Sequence, residues 1–116
     1  MAGELLSTSE AAATLTVGTD AFRNERKRTS SRLRYINGIS IVGANAINEA
    51  SVDLFIENYF VGTFRNSRAG VAAAIMPDDF QAVKTSAVPV GSAITALIRV
   101  APTVNPLLIK VFGLER

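Results

Sequence analysis

The sequence predicts an all-β fold, an antiparallel jelly-roll-like β-sandwich with an extended N-terminal arm, on three observations. About seven or eight short apolar runs recur at spacings of roughly 8 to 15 residues, too close together for helices with connections. Within the runs, apolar and polar residues alternate with a period of two, which places successive side chains on opposite faces of a strand. Gly, Pro and Asn fall between the runs and supply the turns. At 116 residues there is room for one domain, burying upwards of about 60% of its unfolded surface. The division expected is an arm over residues 1–22 and a single sandwich domain over residues 23–116.

Residues 1–22 are rich in Ser, Thr and Ala, with Glu4, Glu10 and one periodic piece, Thr14–Val17. Ser7 and Ser9 suit the cap of a short helix over Glu10–Ala13, although the turns that would support it are missing. An arm with a short strand or helix is expected. Such arms order when something holds them, and a neighbouring subunit is the expected holder.

Leu33–Val42 then changes to a strand pattern, with Ile39 and Ile41 on one side and Ser40 and Val42 on the other. Asn37-Gly38 is the strongest two-residue turn signal in the chain. It makes either a hairpin between Arg32–Ile36 and Ile39–Gly43 or a bulge in one long strand, and the charge on the first arm favours the bulge. Gly43–Ala50 reads as a loop of small residues. Ser51–Phe64 is the clearest hairpin: Val52, Leu54 and Ile56 alternate with Asp53, Phe55 and Glu57, the chain turns at Asn58, and Phe60–Phe64 returns. The aromatic cluster of Phe55, Tyr59, Phe60 and Phe64 is assigned to core packing rather than to a ligand platform.

Val71–Met76 is a weak strand or a helical turn, and Met76–Phe80 is a turn because Pro77 forces its predecessor out of helical geometry. Asp78 and Asp79 are adjacent carboxylates without a third ligand at metal-loop spacing, so no metal site is expected. Gln81–Val88 is a further short strand. In Val88–Phe112, Ile94, Ala96, Ile98 and Val100 share one face and Thr95, Leu97 and Arg99 the other. The second run of this pair, Leu107–Phe112, sets Lys110 toward water, and Pro102 and Pro106 fence the connection. The core is therefore expected at Ile39, Ile41, Val52, Leu54, Ile56, Ile94, Ile98, Ile109 and Val111.

Composition removes most chemistry. The chain has no cysteine, histidine or tryptophan, hence no disulfide or thiolate, no ready general base and no indole for stacking. No nucleophile–base spacing or cofactor motif occurs, so neither an enzyme nor a cofactor is expected. Charged residues make up 19% against a usual share of about 25%. With 48% hydrophobic residues and 17 alanines, the surface is expected to be covered by neighbours, which points to a homo-oligomer. No run reaches the roughly 18 apolar residues of a membrane span, and no export signal is evident, so the expected location is cytoplasmic unless the chain belongs to a virus particle.

One segment stands apart in charge. Within the 13 positions of Phe22–Arg34, Arg23, Arg26, Lys27, Arg28, Arg32 and Arg34 make up half of the 12 Lys and Arg residues, offset by Glu25 alone. They are candidates for contact with a polyanion: nucleic acid, lipid head groups or an acidic partner. The competing reading is a solvated loop paired with acids such as Asp53, Glu57, Asp78 and Asp79.

The basic segment, the Val52–Phe64 hairpin and the closing strand pair opened by Pro89-Val90-Gly91-Ser92 resemble, in layout over Arg23–Arg116, the small single jelly-roll structural proteins of virus particles. These are capsid, cementing and spike-base subunits. The resemblance implies a self-associating virion subunit without catalysis that docks on other structural proteins through its basic arm. Two other readings compete. A small carbohydrate- or ligand-binding β-sandwich has only Tyr35 and Tyr59 besides phenylalanine for stacking. A nucleic-acid-binding module would contact phosphate, because no aromatics interleave the cations.

Overall fold

The computed structural model describes residues 3–10, 16–44, 46–67, 79–101 and 107–115. Among them run seven strands: β1 (Gly3–Glu10), β2 (Arg34–Gly43), β3 (Ser51–Ile56), β4 (Tyr59–Arg65), β5 (Gln81–Val88), β6 (Ile94–Val100) and β7 (Leu107–Glu115), with a 3-10 turn at Arg26–Arg28. The strands form two antiparallel sheets, one in the order β1-β7-β2-β5 and the other β4-β3-β6. The expected all-β, two-sheet architecture is present.

Period-two alternation accounts for the core. All nine positions expected there are buried, joined by Leu6, Ile36, Val83, Val88, Ala96 and Leu107. Each large aliphatic side chain so buried contributes about 1.5–3 kcal/mol of transfer free energy. Val100 departs from the pattern and is 47% exposed. Pairing between β3 and β6 slips after Ser51↔Val100, so that Val52 meets Ile98, and the strand end turns away from the core.

Asn37-Gly38 is a bulge inside one long strand. Pairing of β2 slips between Ile36 and Gly38 against both β5 and β7. The Phe80 ring occupies the space a Gly38 side chain would need and leans on Phe112 at 5.6 Å between centroids. A residue with a Cβ would collide with that ring, which is why the turn-forming dipeptide ends in glycine here.

Part of the segment expected to be an arm belongs to the sandwich. Strand β1 pairs along β7, Leu6 is 1% exposed and Lys110 bonds Glu4 at 2.9 Å. The chain's own β7, rather than a neighbouring subunit, holds this strand. Ala21 and Phe22 are core residues too. Between them and β1, Gly18–Ala21 runs along the edge of β6: Gly18 N–H donates to Ile98 O, Ile98 N–H to Thr19 O and Ala21 N–H to Ala96 O, each at 2.8 Å. The Asp20 carboxylate locks the pairing by accepting from the backbone N–H of Phe22 and of Ala96 at 2.9 and 3.2 Å. The middle of that edge of the smaller sheet, at Ala96 and Ile98, therefore has its donors and acceptors engaged, which protects it from pairing with another chain.

Asn66 organises the loop before β3. It is fully buried; its Oδ1 accepts from Ala50 N–H at 3.0 Å, and its Nδ2 donates to Gly43 O and Ala46 O at 2.9 Å each. The middle of this loop, Ala46–Asn48, is exposed, whereas its ends at Gly43 and Ala50 are buried, and the buried backbone groups there find their partners in the Asn66 amide. Residues 11–13, 71–78 and 102–106, for which a helix, a weak strand or helical turn leading into a proline turn, and a proline-fenced break are expected, lie outside the described residues.

Candidate functional site

The six cations expected to form one contact surface divide into two groups. Arg34 opens β2 and is 2% exposed. Its guanidinium donates to the carbonyl of Lys27 and, at 3.0 Å, to that of Arg28. Burial pushes the Arg34 pKa below its ordinary value, and the carboxylate of Glu115, its cross-strand neighbour, pulls it back up. Arg28 is half-buried and bonds Asp20 at 3.0 Å, the same carboxylate that locks the β6 edge. These two arginines hold the 3-10 turn from beneath.

The other four, Arg23, Arg26, Lys27 and Arg32, are exposed. Arg23 donates to Asp20 O at 3.1 Å. Among the described residues no ion pair engages Arg26, Lys27 or Arg32. The acids considered as neutralising partners are occupied elsewhere: Asp53 faces Arg99 at 3.6 Å and accepts from Thr63, and Glu57 accepts from Ala93 N–H at 2.8 Å. Asp79 accepts from Ser67 Oγ at 2.9 Å, and Asp78 lies outside the described residues. Like charges on a fixed turn repel one another, so this surface carries a local positive potential that a counter-charge would relieve.

A second surface was not foreseen from the sequence. Of the aromatic cluster assigned to the core, Phe64 packs against it, whereas Tyr59 is 67% and Phe60 50% exposed. Pairing between β3 and β4 slips between Leu54 and Phe55, leaving Val61 as an extra residue and redirecting the first two residues of β4. Phe60 meets Phe55 edge-to-face at 5.5 Å. Tyr59 instead lines a cleft of about 460 Å³ with Ile56, Glu57, Lys84, Thr85, Ser86 and the 87–92 turn. An aromatic next to a carboxylate at a hairpin tip was the available signal, and alternation alone does not separate it from core.

Among the described residues no group of three His, Cys, Asp or Glu side chains gathers as a metal site would require, and no helix is long and apolar enough to cross a membrane. Comparison with family models, curated proteins and solved structures returns no match.

Proposed function

We propose that the chain is a non-catalytic structural subunit of jelly-roll type, which self-associates and docks on an anionic or acidic partner through the exposed cations of Arg23–Arg32. The observation that carries this reading is the basic turn itself: Arg28 and Arg34 fix the backbone of the 3-10 turn from below, which leaves Arg26, Lys27 and Arg32 presented without an ion pair among the described residues. The connectivity supports the jelly-roll reading. With Gly18–Ala21 counted as a short member beside β6, the sheets run β1-β7-β2-β5 and (18–21)-β6-β3-β4, an interleaved order of about eight strands in which connections cross between sheets. Exposed Val17, Ile47, Phe60, Val90, Val100 and Leu114 supply apolar surface for self-association. A capsid, cementing or spike-base role in a virion, with location in the particle, is the assembly that this layout resembles.

The test is association of wild type and of the variant Arg26→Glu, Lys27→Glu, Arg32→Glu at low and high salt, by light scattering and native mass measurement. These three side chains touch no core, so the fold survives, while partner binding or assembly weakens and loses its salt dependence. Identical behaviour in all four conditions, or a stable monomer at high micromolar concentration throughout, refutes the reading.

A further inference from the structure

We propose that the cleft between the β3–β4 hairpin and strand β5 is a binding site for a neutral saccharide. Strands β4 and β5 are edges of opposite sheets, so no ladder closes the space between them, and its volume of about 460 Å³ lies within the roughly 300–1,000 Å³ of small-molecule sites. The lining decides the ligand class. Tyr59 offers an open ring face, 67% exposed, of the kind that stacks on the C–H face of a pyranose. Around it stand one carboxylate, Glu57, one ammonium, Lys84, and the hydroxyls of Thr85, Ser86 and Ser92. The charges cancel, which disfavours a phosphate or nucleotide. The hydroxyl-rich wall disfavours an acyl chain, and a polyol satisfies both donors and acceptors.

Glu57 is held ready before any ligand arrives. Its backbone sits in the left-handed region at φ 53°, a conformation that costs a non-glycine residue free energy and persists only where surroundings enforce it. The two-residue turn between Ile56 and Tyr59 calls for this φ, and a reciprocal pair with Ala93 holds the residue there: Glu57 N–H donates to Ala93 O at 2.9 Å and Ala93 N–H donates to Glu57 Oε1 at 2.8 Å. The Ser86 hydroxyl donates to Lys84 O at 2.9 Å, leaving its lone pairs for a sugar hydroxyl. A carboxylate and hydroxyl fixed in this way lose little freedom on binding.

The experiment titrates ¹⁵N-labelled protein with four probes, lactose, maltose, cellobiose and N,N′-diacetylchitobiose, and follows amide shifts. At least one is expected to shift Glu57, Tyr59, Thr85, Ser86 and Ser92 saturably with a millimolar Kd. Tyr59→Ala is expected to weaken that binding about tenfold, Tyr59→Phe to leave it nearly intact and Glu57→Gln to weaken it several-fold. Tyr59 is too exposed for its truncation to unfold the chain. No saturable shift with any probe, or unchanged binding in Tyr59→Ala, overturns the proposal. Shifts at the same amides that follow protein concentration without sugar assign the cleft to self-contact and also overturn it.

Discussion

Replacing Asn66 with alanine isolates the contribution of one buried side chain to the whole sandwich. Among the described residues the amide makes three side-chain bonds of 2.9–3.0 Å, one to Ala50 N–H and two to the carbonyls of Gly43 and Ala46. Ala50 is fully buried, so its N–H gains no water when the partner is removed. A stranded buried donor costs about 1–3 kcal/mol, and each lost net bond to a carbonyl about 1 kcal/mol. The backbone bonds Asn66 N–H to Ala50 O and Asn48 N–H to Asn66 O survive the substitution and limit the damage. The expected loss is therefore about 3–5 kcal/mol, a large share of the roughly 5–15 kcal/mol typical of a domain. Urea unfolding should show a lower midpoint at an unchanged m-value, because the surface exposed on unfolding is the same. Asn66→Asp is the informative companion. It keeps an acceptor for Ala50 but turns two donor contacts into oxygen–oxygen repulsion, so it should be at least as damaging at neutral pH and recover partly in acid, where the protonated acid regains a donor. A loss below about 1 kcal/mol for Asn66→Ala would refute the assignment of the loop to this side chain, since even one stranded donor exceeds it.

Three further substitutions test packing. Ile98→Ala, at a position 1% exposed, should cost about 2–5 kcal/mol in the same unfolding assay, and an unchanged midpoint would put the core on the other face of β6. Gly38→Ala and Gly113→Ala should differ in severity. An alanine Cβ at Gly38 meets the Phe80 ring, a side chain 42% exposed and able to swing aside, whereas at Gly113 it meets the Tyr35 carbonyl of the paired strand. The first should cost about 1 kcal/mol and the second about 3 kcal/mol or more; equal Tm values for the two variants would contradict this ranking.

How much of the fold was legible depended on whether a signal was local. Alternation in Val52–Ile56 and Ile94–Ile98 needs only neighbours in sequence, and those residues are buried as expected. Gly38 was legible as a bulge because charge on the preceding residues argued against a hairpin. The exposure of Val100, Tyr59 and Phe60 was not, because each follows from a one-residue slip between strands, and slips are settled by how two sheets fit together. Asn66 and Asp20 carry no local mark at all: an asparagine or aspartate in a loop reads the same whether it faces water or collects backbone amides from two strands. The basic segment was visible as a block of charge, but its division into buried Arg34, half-buried Arg28 and four exposed cations depends on where β2 begins and where Asp20 lies.

The placement of β7 between β1 and β2 has a consequence for how the protein is made. Neither of those neighbours can complete its pairing until residues Leu107–Glu115 have been made, so the larger sheet closes only after every described strand of the smaller one has been synthesised. Until then Gly3–Glu10 waits without the strand it pairs with, and Arg34–Gly43, which can pair with β5 on one side, keeps its other edge open. Ordering so dominated by distant pairing is slow, and the interval is one in which like chains adhere. Yield of native protein should therefore fall with translation rate and temperature more steeply than the stability of the finished sandwich would suggest.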